Sequence, residues 1–359
     1  MVTLKRLFRW MLLGCLTTAL TVSCGVAVNQ RPDSNSPASA DCRVISHDAG
    51  EAEICGQPQT VVSLSAHALD LLLSLDHQPA GYVAPISLFP GDVFDNPAAQ
   101  IPFLGSAITT QPVNVGDAQG PSMERLTALK PDLILGETRN EGEYELLSQI
   151  APTILLENRT VKGQWQEHLR ILAAALGKSE KAETLIEKHQ ATLEQARLDF
   201  AEVTSARPNL LLVGANLLEE GVYVIQSDTY LGELLEEVGF TLVKPESPGN
   251  LPNAPISLEG LPQLDSADAI IILGYNMDID DPALKQALAA GDQSLEEIAE
   301  QHQVKAIKQS WQENAIAQSL TASKQDRVYF ATYYKWNGFN GPIGTELVLK
   351  QLHQFLLDE

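Results

Sequence analysis

Two copies of one short unit, one in each half of the chain, restrict its fold more than any other feature of the sequence. Ser122-Met123-Glu124-Arg125-Leu126-Thr127-Ala128-Leu129 precedes Asp132, the apolar run Leu133-Ile134-Leu135 and Gly136. Ser257-Leu258-Glu259-Gly260-Leu261-Pro262-Gln263-Leu264 precedes Asp268, the apolar run Ala269-Ile270-Ile271-Ile272-Leu273 and Gly274. Both read S-x-E-x-L-x-x-L, then Asp, strand and Gly, and internal self-similarity of this kind marks a repeated architecture. Each Ser can cap a short helix, each Glu sits in the first turn where the helix dipole favours an anion, and the two leucines face the core. Two lobes follow, each with one exposed carboxylate in an equivalent place, an arrangement suited to a two-fold partner.

Around both copies, short apolar runs alternate with helical patterns. Val61 to Leu64, Gly81 to Ala84, Leu133 to Leu135 and Thr153 to Leu156 are strand candidates in the first half, with Ala68 to Leu75 a helix. Leu210 to Val213, Ala269 to Leu273 and Val328 to Phe330 are their counterparts in the second half, with helices over Leu231 to Val238 and Leu347 to Leu357. Such alternation predicts parallel sheets covered by helices. Between the halves, Trp165 to Ala206 holds no Pro, and from Ser179 onward it is rich in Ala, Glu, Lys, Leu and Gln at helical spacing. The expected fold is α/β, with two parallel-sheet lobes, 42–178 and 207–359, joined by one long bridging helix over 179–206.

The N-terminus reads as an export address. Lys5, Arg6 and Arg9 precede an apolar run from Trp10 through Val22 that is short for a membrane span. Leu20-Thr21-Val22-Ser23-Cys24 resembles a lipobox, so residues 1–23 are expected to be a signal peptide and Cys24 the lipidated residue. Leu12-Leu13-Gly14-Cys15 fits the lipobox letters too but leaves almost no apolar region before it, and an ordinary cleaved signal is the other alternative. Residues 24–41 have the composition of a lipid-anchored, flexible tether. Cys42 and Cys55 bracket an alternating stretch with Asp48-Ala49-Gly50 at its turn, which predicts a hairpin and, in an exported chain, a disulfide across it.

Charge narrows the partners. The full chain carries a net charge of −22, and removal of residues 1–23 leaves 21 Lys and Arg against 46 Asp and Glu. Nucleic acid is excluded as a partner by this balance and by the lack of any basic stripe.

Several segments together resemble the helical-backbone substrate-binding proteins of ABC importers, the group that binds ferric siderophores and cobalamin. They are Pro58-Gln59-Thr60-Val61-Val62-Ser63-Leu64, Leu126 to Ile134, Ile150-Ala151-Pro152-Thr153, Leu231 to Phe240 and Arg327-Val328-Tyr329. The resemblance implies a ligand cleft between the lobes, modest closure, and one glutamate per lobe contacting the two permease subunits. By motif position these are Glu124 and Glu259, the residues that the internal repeat selects independently. It further implies a lipid-anchored monomer on the periplasmic side of the inner membrane, serving an ABC permease dimer with its ATPase subunits.

Ligands of open α/β sheets bind beyond the carboxyl ends of the strands. The residues there are Ser65, His67, Ser87 to Phe89 and Glu137-Thr138-Arg139 in the first half, and Asn216, Tyr223, Tyr275-Asn276-Met277 and Tyr333-Tyr334-Lys335-Trp336 in the second. A ferric siderophore needs aromatic walls and a few cations, a demand that Arg139, Tyr275, Lys335 and Trp336 fit best, and Ser65, His67 and Tyr333 complete the expected ligand set by their strand-end positions. His67 could equally cap a helix, and Trp336 could pack beneath the last helix. No cofactor beyond the bound chelate is expected. Cobalamin and haem are alternative ligands of the same family. A bare metal ion would need three His and a carboxylate, and only His67 lies at a strand end. The chain lacks G-x-S-x-G, H-E-x-x-H, a P-loop and G-x-G-x-x-G, so binding is expected rather than catalysis.

Overall fold

The structure is a computed structural model and describes residues 41–84, 95–117, 120–245, 253–275, 280–290 and 294–358. The expected signal peptide, Cys24, the tether up to residue 40, Ser87 to Phe89 and Asn276-Met277 lie outside the described residues.

The body opens with an antiparallel hairpin of β1 (Cys42–His47) and β2 (Gly50–Cys55), in which Cys42 and Cys55 are directly paired and form a disulfide. Ile45, Ala52 and Ile54 give it one buried face. Arg43 fastens the hairpin to the Gln164–Leu176 helix by donating to the carbonyls of Ala174, at 2.9 Å, and Ala175. Both carbonyls lie in the last turn of that helix, where a cation is favoured.

Six strands form the first sheet: β3 (Val61–Ser63), β4 (Gly81–Val83), β5 (Val113–Asp117), β6 (Gly120–Pro121), β7 (Leu133–Glu137) and β8 (Thr153–Leu156), in the order β6-β5-β4-β3-β7-β8. All pairings are parallel except β5 with β6. The second sheet holds β9 (Asn209–Ala215), β10 (Val222–Ile225), β11 (Thr241–Leu242), β12 (Asn253–Ile256), β13 (Ala269–Gly274) and β14 (Val328–Thr332). Its order is β12-β10-β9-β13-β14, with β11 also on β9. This sheet is parallel at β9, β11, β13 and β14, while β10 runs antiparallel to both β9 and β12. Only a 3-10 turn, Leu218–Glu220, and Gly221 at φ 89° lie near the β9 to β10 connection. A link that short can reverse the chain but cannot carry it back to start a parallel neighbour.

Period-two alternation sorts the central strands into two layers. Leu210, Leu212, Ile271 and Leu273 join Leu133, Leu135, Ile154 and Leu156 of the first half in one continuous core, completed by Trp165, Phe200, Tyr230 and Trp336. Leu211, Val213, Ile270 and Ile272 face the other way onto Ile307 and Trp311. A core shared between the halves opposes wide hinge opening, since each large apolar side chain returned to water costs about 1.5–3 kcal/mol.

The bridging helix runs over Ser179–Asp199, 21 residues or about 32 Å at 1.5 Å per residue. It packs on the Gln164–Leu176 helix of the first half and the Tyr230–Val238 helix of the second. It is shorter than the expected 179–206 because Phe200 turns into the core, and Ala201–Ala206 forms a separate short helix.

The last helix, Pro342–Leu356, crosses back. Ile343 and Leu347 pack with Leu69, Leu73, Tyr82, Ile101 and Phe339. Asp70, fully buried on the Ala66–Ser74 helix, accepts from the backbone N–H of Ile343 at 3.1 Å and of Gly344 at 2.8 Å. A first-half carboxylate thus satisfies the free N-terminal donors of the C-terminal helix. Gly341 permits this approach, since a Cβ there would lie 2.9 Å from Asp70 Cγ.

Candidate functional site

The repeated unit explains itself in three dimensions. Asp132 Oδ2 accepts from the N–H groups of Gln59 and Thr60, just before β3, and Asp268 Oδ2 accepts from Asn209 N at the start of β9. Each Asp therefore ties its strand to the neighbouring one. Gly136 and Gly274 are buried at strand ends, and a Cβ on Gly274 would meet the Gln303 carbonyl oxygen at 2.3 Å. Ser122 caps the Met123–Leu129 helix through Arg125 N at 3.3 Å. Ser257 makes no such bond. Its unit is a 3-10 turn, Leu258–Leu264, because Pro262 lacks the N–H that an α-helix interior requires. Glu124 and Glu259 are both exposed, and neither has an ion-pair partner among the described residues.

At the carboxyl ends of the strands a polar path crosses from one half to the other. Glu137, last residue of β7 and 8% exposed, accepts through Oε2 from Arg139 at 3.4 Å and from Arg159 Nε at 3.3 Å. Arg159 also donates to the Asn337 carbonyl and to Asn340 Oδ1 in the second half. Asn337 Nδ2 donates to the Tyr333 hydroxyl at 2.6 Å, and the Tyr333 ring meets Tyr275 edge-on at 5.9 Å. Arg139, Glu137, Arg159, Asn337, Tyr333 and Tyr275 are thereby joined in one sequence of contacts. Burial pushes the Glu137 carboxyl upward, but the Arg159 and Arg139 guanidiniums and the Ser65 hydroxyl outweigh it and hold the group below the usual carboxylate range. It is a carboxylate at neutral pH.

A second crossing lies nearby. Phe103, with its backbone at φ 68°, donates its N–H to Glu296 Oε1 at 3.1 Å. The Lys335 ammonium lies 5.2 Å from the Phe103 ring centroid and 2.6 Å from Glu300 Oε1. Tyr334 and Phe339 complete the aromatic contacts to Phe103.

The selected ligand residues separate into two groups. Arg139, with 58% of its side chain exposed, and Tyr275, at 38%, present surface at the strand ends. Tyr333 is half-buried beside Tyr275, and Ser65 caps the Ala66–Ser74 helix through Ala68 N at 3.0 Å. Trp336 is corrected from wall to core: it is 1% exposed, donates Nε1–H to Gln351 Oε1 at 2.7 Å and stacks with Phe355 beneath the last helix. His67 is likewise fully buried. Its Nδ1–H donates to the Phe339 carbonyl, so Nε2 accepts from His168 Nδ1 at 2.8 Å. Burial drives its pKa down to about 3, keeping the ring neutral. Lys335 is 9% exposed and neutralised by Glu300.

Arg159 escaped sequence reading although it follows β8 by three residues, so the strand-end rule could have found it. Phe103 carries no comparable signal, lying in a stretch without strand or helix periodicity. Among the described residues, three potential metal donors converge only at Cys42, Glu53 and Cys55, where both sulfurs are consumed by the disulfide. No helix among the described residues is long and apolar enough to cross a membrane.

The chain is 26% identical over 346 residues to the Fe(3+)-citrate-binding protein YfmC of Bacillus subtilis (strain 168), covering 95% of this chain and 93% of that protein. It is 26% identical over 296 residues to the Fe(3+) dicitrate-binding periplasmic protein FecB of Escherichia coli (strain K12), covering 81% and 82%. The crystal structure of Staphylococcus aureus SirA complexed with staphyloferrin B shares the fold, with a TM-score of 0.65 at 24% identity over 87% of this chain and 97% of that one. The family model described as periplasmic binding protein matches residues 61–333, a region that takes in both sheets and the bridging helix. By that match, the chain belongs to the periplasmic binding protein family.

Proposed function

We propose that this chain captures a ferric siderophore or ferric hydroxycarboxylate chelate and delivers it to an ABC permease, by binding and release without covalent chemistry. The observation that carries the reading is the strand-end face of exposed Arg139 and Tyr275 with Tyr333, contributed by both halves, in a chain of net charge −22. A local cation and aromatic rings suit an anionic, partly apolar iron complex. The names of YfmC and FecB, both ferric-citrate binders, support it.

In this reading Arg139, Tyr275 and Tyr333 touch the ligand, Ser65 and Lys335 lie buried behind that face, and His67 and Trp336 hold the scaffold. Glu124 and Glu259 dock on the two permease subunits. Export and lipidation at Cys24 would hold a monomer beside its permease on the periplasmic side of the inner membrane.

Uptake of radioactive iron in a strain lacking the chromosomal copy tests the proposal. Glu124→Ala with Glu259→Ala should abolish uptake while leaving chelate affinity unchanged. Wild-type uptake by the double variant would refute docking through these residues.

A further inference from the structure

Three charges at the end of the first sheet do not cancel, and their imbalance bears on ligand choice. Glu137 Oε2 receives both Arg139 and Arg159, one carboxylate between two guanidiniums, which leaves one positive charge. The two arginines are not equivalent. Arg159 has 18% of its side chain exposed and is held by the Asn337 carbonyl and Asn340 Oδ1, whereas Arg139 has 58% exposed and, among the described residues, only its long contact to Glu137. His67 adds no charge at neutral pH.

We propose that Glu137 and Arg159 are positioning residues that set the charge of the ligand face: Arg159 neutralises Glu137 from within, so the Arg139 charge is left to select ferric chelates of net negative charge. This rests on the functional reading above. The same trio explains why a buried carboxylate stands at a face for anions. Without Arg159, Glu137 would hold Arg139 as its sole cation, and without Glu137 both cations would act outward.

Calorimetric titration with anionic ferric dicitrate and with neutral ferrichrome, at pH 8 in 10 mM to 1 M NaCl, tests it. One unit of charge near the ligand changes affinity about threefold to tenfold at low salt, and screening at 1 M removes most of it. Glu137→Gln should bind the anionic chelate about threefold to tenfold more tightly than wild type at 10 mM salt, and Arg159→Met about as much more weakly. Both should converge on wild type at 1 M. Arg159→Lys, which keeps the charge, should follow wild type and serves where Arg159→Met does not fold. A purely structural role would weaken binding in both variants by a factor independent of salt, and that result overturns the inference. So does wild-type preference for the neutral chelate. Wild type that binds no ferric chelate overturns the functional reading itself, whereas tight wild-type binding with unmoved salt slopes overturns this inference alone.

Discussion

Replacing Asp70 by Asn should remove a pH dependence of stability that the wild-type chain carries. Asp70 is fully buried and accepts from Ile343 N, Gly344 N and the Ser74 hydroxyl. Burial still outweighs those donors and pushes its carboxyl from 3.8 up to about 6. An acid whose folded-state pKa lies above its unfolded value keeps its proton longer in the folded state. Between those values the unfolded chain binds fewer protons, so stability falls as pH rises. At about 1.36 kcal/mol per pKa unit the full loss is about 3 kcal/mol, of which about 2 kcal/mol falls between pH 4.5 and 7. Asn does not titrate, and the cost of turning its NH2 toward a backbone N–H, about 1–3 kcal/mol, is the same at every pH. For a body of about 300 residues the unfolding entropy is about 0.6 kcal/mol/K, so the wild-type Tm should drop by about 3 °C relative to the variant over this range. Differential scanning calorimetry of both proteins at pH 4.5, 5.5, 6.5 and 7 measures it. A Tm difference that stays constant with pH, or moves in favour of wild type as pH rises, would refute the reasoning and mean that the donors hold Asp70 ionised throughout.

Other substitutions probe the scaffold and the face. Replacing Cys42 and Cys55 together by Ser should cost about 3 kcal/mol in chemical denaturation, from the closed loop of 14 residues spanned by the disulfide; a loss below about 1 kcal/mol would mean that Arg43 and the apolar face hold the hairpin alone. Trp336→Ala should cost about 3–5 kcal/mol of stability, read by denaturant titration, and leave chelate affinity within about threefold when the protein is folded. Arg139→Ala should do the reverse, weakening anionic chelate binding about tenfold or more with stability changed by less than about 0.5 kcal/mol.

Features set by local periodicity were legible in the sequence, and features set by distant partners were not. The strands Leu133 to Leu135 and Ala269 to Leu273 are continuous apolar runs buried on both faces, which is how parallel interior strands read. The duplicated Ser-x-Glu unit located both exposed glutamates, and the hairpin between Cys42 and Cys55 followed from its alternation and turn. The sense of β10 was not legible, because it depends on the length of the connection from β9. Trp336 is ambiguous in the sequence for a different reason. It lies in an aromatic run after a strand, where a ligand wall and a core anchor look alike, and Gln351 and Phe355 on the returning helix decide between them. That helix and the turn before it hide the roles of Asp70 and His67 too, since their partners, Ile343, Gly344 and Phe339, are more than 270 positions away. Arg159 illustrates the same limit: its importance comes from sharing Glu137 with Arg139 and from bonds to Asn337 and Asn340.

Equilibrium titration tests whether this chain binds an iron chelate for delivery. The purified chain would be titrated calorimetrically with ferric dicitrate, a ferric catecholate, a ferric hydroxamate, haem and cobalamin, each iron chelator also run without iron. Saturable one-to-one binding of an anionic ferric chelate is expected, weakened about tenfold or more by Arg139→Ala and absent for its iron-free form at the same concentration. Binding of cobalamin or haem alone, or no heat with any ligand from a chain that unfolds cooperatively, would contradict it.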